Sequence, residues 1–365
     1  MAEEEVVAVT GTARTLPAIV ADRVDAHGER TILRQKRRGI WQSITWADFG
    51  TRVRDASMGL RAIGMTDGDR VAILSDATPE WIIVDLAILA VGGVSVGIDP
   101  ADDARTAAGI LAGNAVRILF VEGEEYLDRA LDVRARCPAL EHIIIFDMKG
   151  LREFADPMCQ SFVAFAAAGR AQDAAQPDAW DAGVAAITPD QPAIIAEGKT
   201  LTHRDILDRI AAAAARGLGG ATDERLAFLS MAGLQERVCG LYFSLVHGVV
   251  SNLVENAETV PENLREVQPT VLMAMPRVWA SLSEHIVAAV AAATPLQRAL
   301  TRWAVSPARS GPLRAVARFL VIRRLRQALG MSRLRCGWVT GSPAPPELVR
   351  WYAALGIELQ AVREE

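Results

Sequence analysis

Pro192-Ala193-Ile194-Ile195-Ala196-Glu197-Gly198-Lys199-Thr200-Leu201-Thr202-His203-Arg204-Asp205-Ile206-Leu207 is the stretch that decides the fold. An apolar run, a short polar break, then Thr-x-x-Asp ahead of an apolar helical pattern is how an α/β protein passes from a buried strand into a capped helix. Phosphate-binding loops sit at such junctions because a helix start presents free backbone N–H groups. Here the break between Ile195 and Leu201 holds one glycine and an acidic residue, which is too short and too poor in glycine to wrap a triphosphate.

Working outward, strand-like runs alternate with helix-length segments, the pattern of parallel sheets covered by helices. Before the junction, Arg70–Leu74, Gly93–Ile98, Arg117–Val121 and His142–Phe146 read as strands, with a proline-started helix from Pro79 to about Val91. After it, strands are expected at Pro192–Ala196, Arg225–Leu229, Val249–Val254, Thr270–Ala274 and Leu334–Val339. Helices are expected over Pro276 to about Ala292 and Leu313 to about Leu329. Between Ala164 and Pro189 the composition turns to Ala, Gly, Asp, Gln and Pro with weak periodicity. The chain therefore divides into a first α/β subdomain over 1–165, a linker over 166–190 and a second subdomain over 191–365.

The 365 residues, 51% hydrophobic and 23% charged, are enough for two folded units. Cys137, Cys159, Cys239 and Cys336 form no C-x-x-C pair, so neither a zinc site nor a disulfide framework is expected and a reducing cytoplasm is the default. The acidic start Met1-Ala2-Glu3-Glu4-Glu5 does not read as a secretory signal, and no apolar run reaches the ~18 residues needed to span a bilayer. Net charge is -5, yet from His285 to Pro346 there is neither acid nor lysine, while arginines accumulate over 298–335. That segment reads either as a solvated helix or as a basic amphipathic surface for anionic lipid. Nucleic acid is not expected, because aromatic interleaving is sparse.

Several further segments follow one another along the chain: Trp41-Gln42-Ser43-Ile44-Thr45-Trp46, Gly68-Asp69-Arg70-Val71-Ala72-Ile73-Leu74, Leu201-Thr202-His203-Arg204-Asp205, Met275-Pro276-Arg277-Val278-Trp279 and Gly341-Ser342. Taken in order, this set resembles the AMP-forming long-chain acyl-CoA synthetases of the adenylate-forming superfamily. The resemblance implies two doubly wound, mainly parallel sheets with helices on both faces, as in the large N-terminal domain of those enzymes. It also implies their reaction, in which a fatty acid carboxylate attacks ATP and coenzyme A then displaces AMP. Adenylation brings a carboxylate to a polyanion, so backbone N–H groups, a cation and Mg²⁺ must offset the charge.

That equipment is incomplete. The family's Y-T-S-G-T-T-G-x-P-K-G loop is replaced by Ala196-Glu197-Gly198-Lys199-Thr200, in which Lys199 and Thr200 are the remaining candidates for a nucleotide contact. Where Y-G-x-T-E should follow Gly356-Ile357-Glu358-Leu359, the sequence reads Gln360-Ala361-Val362-Arg363-Glu364-Glu365. The only lysines are Lys36, Lys149 and Lys199, so the family's C-terminal lid and its catalytic lysine are expected to be absent. Gly233 stands where the family carries the acyl-site histidine. Gly341 and Ser342 resemble the turn beside adenine and the acyl group, and Trp279 reads as core or as a wall of the acyl tunnel. His203 is expected to pack the helix start rather than act as a base.

No catalytic or metal residue is assigned, and ATP and Mg²⁺ enter only if the family's binding is retained. The expectation is a degenerate, cytoplasmic homologue, a pseudoenzyme that is inactive alone, with an acyl-binding, regulatory or scaffolding role. The alternatives are a fatty acid–CoA ligase completed by a partner chain and a decayed fragment. The expected partners are a full-length acyl-CoA synthetase or a second copy, with peripheral membrane contact through 298–335.

Overall fold

The structure, a computed structural model, describes residues 14–291 and 321–362. In chain order, β1 (Thr31–Arg37) and β2 (Ile40–Thr45) form a hairpin. Next come β3 (Arg70–Leu74), β4 (Val94–Ile98), β5 (Ile118–Val121), β6 (His142–Ile145) and β7 (Cys159–Ser161). A second hairpin follows, β8 (Pro192–Ala196) and β9 (Lys199–Thr202). The last strands are β10 (Glu224–Ala227), β11 (Val250–Leu253), β12 (Val271–Ala274), β13 (Cys336–Val339) and β14 (Glu358–Ala361).

These strands make two seven-stranded sheets, one ordered β14-β13-β12-β10-β11-β1-β2 and the other β7-β6-β5-β3-β4-β8-β9. Each is parallel except for the antiparallel strand at its hairpin edge. The doubly wound α/β class read from the sequence holds, but the halves are not separate. The hairpin β1–β2 completes the sheet of β10–β14, and β8–β9 completes the sheet of β3–β7, so the division into 1–165 and 191–365 is corrected to two sheets that exchange edge hairpins. Register was invisible in the sequence because a hairpin's apolar face does not say which sheet it will extend.

The expected linker over 166–190 is corrected as well. It holds most of the helix Phe162–Ala175 and all of Ala179–Ala186. A Cβ at Gly169 would lie 1.9 Å from the Asp55 carbonyl, so the absent side chain lets this helix close against Trp46–Ala62. Phe165, fully buried, stands edge-on to Phe120 at 5.4 Å, and Arg54 binds Asp173 at 2.9 Å. Small residues that allow close packing weaken the apolar period, which is why the segment reads as a linker.

The helix Pro79–Ala90 is buried at every residue but Glu80. It packs in one core with Ile73 and Ile118 of one sheet and Leu33 and Leu253 of the other, which makes it the layer between them. A helix apolar on all sides needs such a position, and each large side chain buried there contributes about 1.5–3 kcal/mol.

Arg298, Arg302, Arg309, Arg314 and Arg318 lie outside the described residues, as does most of the helix expected over 313–329. Three other arginines of that segment serve the fold. Arg326 donates to the carbonyls of Met331 and Leu334, Arg335 pairs with Asp223, and Arg333 reaches Glu224 at 3.5 Å. Among the described residues no helix is long and apolar enough to cross a membrane.

Candidate functional site

The stretch from Ala196 to Lys199 is a two-residue β-turn. Ala196 pairs with Lys199 across the hairpin, and Glu197 and Gly198 both take positive φ, 52° and 74°. Positive φ at both central positions is the type I′ pattern, whose twist matches the flanking strands. Thr202 then accepts from the Asp205 backbone N–H at 3.1 Å, while the Asp205 carboxylate accepts from the Thr202 N–H at 2.8 Å, a reciprocal cap that starts His203–Ala215. The capped helix was legible in the sequence, but the second strand β9 was not. Lys199 and Thr200 are exposed on that edge strand. Among the described residues this junction forms a two-residue turn rather than a wrapping loop, and the turn carries a carboxylate.

Glu197 is used otherwise: its carboxylate accepts from the Leu234 N–H at 3.1 Å. This holds the Ser230–Gln235 loop against the hairpin. The same loop crosses β4 at Gly97, where a Cβ would meet the Ala232 backbone at 2.7 Å, so only glycine allows the approach. At its far end Gln235 accepts from the Gly341 N–H at 2.8 Å, and Gly341 itself sits in the left-handed region with φ 74°. One loop thus brings together the Lys199–Thr200 hairpin, the half-buried Gly233 and the exposed Gly341-Ser342 turn.

Beside this loop lies a cavity of about 500 Å³. Ala212 and Ala213 of the helix line it together with Leu234, Val238 and Trp338. Asp208, Arg209, Arg216 and Gln235 are its polar lining residues. Arg216 donates to the Ala361 carbonyl and lies 5.3 Å over the Trp338 ring. Arg209 is half-buried, close enough to Asp205 to help lower its carboxyl, and shares the polar side with the exposed Asp208. Burial pushes the nearby Cys239 thiol up to about 11, which keeps it protonated and a poor nucleophile at neutral pH.

Trp279 is not part of this wall. Successive strand residues face opposite sides of a sheet. Trp279 packs against Gly337, where a Cβ would come within 2.8 Å of its ring, whereas the next residue, Trp338, faces the cavity. Trp279 is fully buried, donates to the Trp338 carbonyl at 3.3 Å and meets Tyr352 edge-on at 5.0 Å. Its place is the core on the far face of the sheet.

The segment that carries Val238 and Cys239 of the cavity lining also holds a buried polar cluster that was not picked out from the sequence. Asp85, from the central helix, accepts from Ser95 Oγ at 2.6 Å, from the Tyr242 hydroxyl at 2.7 Å and from Arg237. Arg237 also donates to the Tyr242 hydroxyl at 3.0 Å and stacks 5.1 Å from Trp81. Arg237 and Tyr242 belong to the π-helical segment Glu236–Tyr242, so this cluster fixes the cavity wall to the layer between the sheets. Burial and the neighbouring Asp85 carboxylate hold the Tyr242 hydroxyl protonated. Breaking such a buried ion pair from one side costs about 3–5 kcal/mol. Its signal was available: Asp85 is the one ionisable residue in the buried run Trp81–Ala90. His203 is 1% exposed and its imidazole is pushed down to about 4 by burial, so it packs the helix start as a neutral ring.

The match to a family profile described as AMP-binding enzyme runs from residue 20 to residue 363. The chain is 23% identical over 373 residues to a long-chain-fatty-acid–CoA ligase, ACSBG2, of Xenopus laevis, covering 94% of this chain and 50% of that protein. It is 27% identical over 350 residues to the long-chain-fatty-acid–CoA ligase FadD15 of Mycobacterium bovis, covering 88% and 55%. The chain thus spans about half the length of the curated relatives it matches. Among solved structures, the anthranilate CoA ligase AuaEII with anthranoyl-AMP superposes with a TM-score of 0.68 at 16% identity, over 96% of this chain and 58% of that one. The A-PCP didomain of the Segniliparus rugosus carboxylic acid reductase, with AMP, gives 0.71 at 17%, over 98% and 53%. These likenesses share the fold.

Proposed function

Because this chain belongs to the AMP-binding enzyme family, we propose that it is an acyl-CoA synthetase homologue that binds an apolar carboxylic acid without activating it on ATP. The observation that carries this reading is the two-residue turn Glu197–Gly198. A ligase must surround a triphosphate with N–H donors and cations as the carboxylate attacks, since two anions approach one another in that step. This junction offers a two-residue turn and an acidic side chain already bonded to Leu234.

The cavity favours the binding half of the reading. Its apolar walls suit a hydrocarbon chain, and Arg209 supplies a positive charge for the carboxylate at the polar side. A binding or scaffolding role, alone or beside a full-length synthetase, needs no closure over a bound adenylate.

Two measurements on the purified chain test it. Thermal unfolding should shift upward with medium- or long-chain fatty acids, because a ligand that binds only the native state stabilises it. Fatty-acid-dependent exchange of labelled pyrophosphate into ATP should stay at the level of a heat-inactivated control. Exchange above that control would overturn the proposal and favour a working ligase. No shift with any fatty acid would remove the binding role.

A further inference from the structure

A second, much smaller void of about 20 Å³ lies against the same wall of the cavity. Leu218, Cys239 and Trp338 line both spaces, so the void adjoins the larger one. It is large enough for one oxygen-sized group, since a single water needs about 10–15 Å³ on this measure. Its other polar lining residues are Arg225 and Ser244.

Two of these side chains carry donors without a partner among the described residues. Trp338 is 2% exposed and Arg225 5%, and Trp338 Nε1 and Arg225 Nε and Nη1 have no hydrogen-bond partner among the described residues. Arg225 uses only Nη2, on the Glu236 carboxylate. Ser244 Oγ donates its proton to the Gly240 carbonyl at 2.6 Å. A buried donor left unpaired is destabilising, so an acceptor at the end of a ligand would bind more tightly there than a methyl group. Glu236 already supplies the counter-charge for Arg225, and a second carboxylate would leave a buried net negative charge. The fitting group is a neutral oxygen with lone pairs.

We infer that the cavity selects acyl chains bearing a hydroxyl or carbonyl oxygen at the end remote from the carboxylate, with Trp338 and Arg225 as the specificity-determining residues. This rests on the acyl-binding reading above and deepens it. The carboxylate lies at Arg209, the hydrocarbon runs between Ala212 and Val238, and the far oxygen reaches Trp338 and Arg225.

The test is calorimetric titration of the purified chain with saturated acids from caprylic to myristic and with the ω-hydroxy acid of each length. At the best length the ω-hydroxy acid is expected to bind about tenfold more tightly, one tenfold step being ~1.4 kcal/mol. In Trp338→Phe, which keeps the ring and removes the N–H, that ratio should fall at least about threefold. A ratio is insensitive to any overall loss of stability in the variant. As a measurement on the unaltered chain, the Trp338 indole N–H resonance should shift further with the ω-hydroxy acid than with its plain counterpart. Equal affinities for the two acids, the outcome if the void holds only a water, would overturn the inference while leaving acyl binding standing, as would a ratio unchanged in Trp338→Phe. Binding of neither series would overturn both.

Discussion

The two hairpins are the same device built twice. Each ends a sheet with an antiparallel strand, turns on an X-Gly pair with positive φ at both residues, and feeds a helix capped by Thr-x-x-Asp. In the first the pair is Arg38-Gly39 (φ 50° and 77°) and the cap Thr45–Asp48; in the second it is Glu197-Gly198 and Thr202–Asp205. The difference lies in what the turn faces. The first donates the Arg38 and Gly39 N–H groups to the Glu255 carboxylate at 2.9 and 3.3 Å, the way such a turn holds an anion. The second reaches out with its own carboxylate to an N–H of the site loop. One backbone solution thus serves an anion in one sheet and supplies one in the other, so local geometry alone does not make a phosphate site.

The largest expected break between the two units comes from acid. The first residue of each helix is buried, Trp46 in one and His203 in the other, and only the second titrates. His203 is lowered by burial from 6.5 to about 4, so between those values the unfolded chain binds a proton that the folded chain refuses. Its contribution to stability is complete above pH ~6.5 and declines as pH falls toward 4, by up to ~3 kcal/mol at ~1.4 kcal/mol per unit. His247, also lowered to about 4 by burial, adds to the same limb. Denaturant melts from pH 7 to 4.5 should therefore flatten in His203→Leu, and amide exchange should open the 203–215 helix before the 46–62 helix. Equal opening of both units would remove the asymmetry. Asp205, held below the usual carboxylate range by the Thr202 backbone N–H, titrates lower and leaves this window clear.

A smaller, symmetric effect is expected from the caps. Thr45→Ala and Thr202→Ala should each cost about 1 kcal/mol at neutral pH in urea melts, and the two should add because the helices cap independently. A cost confined to one of them would mean that the hairpins are not equivalent supports. Smallest of all, Glu255→Gln should destabilise more than Glu197→Gln, since it weakens two N–H bonds rather than one, with both below about 1 kcal/mol. The local readout for Glu197→Gln is faster exchange at the Leu234 amide, against no change in the first hairpin.

What the sequence made legible follows the range of the interactions. Thr202-x-x-Asp205 and the strand Ala193–Ile195 depend on neighbours a few residues away, and both were read from the pattern. The partner sheet of β1 depends on Asn252, and the Asp85–Arg237 pair spans 152 residues, so neither could be read from local period. The helix Phe162–Ala175 was missed for the opposite reason, because small residues that fit a tight interface look like a linker. At the site, Gly233, Gly341 and the Lys199–Thr200 pair were picked out by family pattern, and the folded chain places them around one loop. Trp279 was offered both as core and as tunnel wall, and the face of the strand beneath it decides for core. Trp338 and Arg225 carried no local signal, since an unpaired donor becomes conspicuous only once its surroundings are dry.

The exchange of edge hairpins bears on how the chain is made. Arg34 and Asn252 meet across 218 residues, and at roughly 5–20 residues per second a ribosome takes some 10–40 seconds to supply the second after the first. Until then β1 has only β2 beside it, and its other edge is unclaimed. During synthesis that edge is the place where a chaperone, or a second nascent copy, would find the chain open to mispairing.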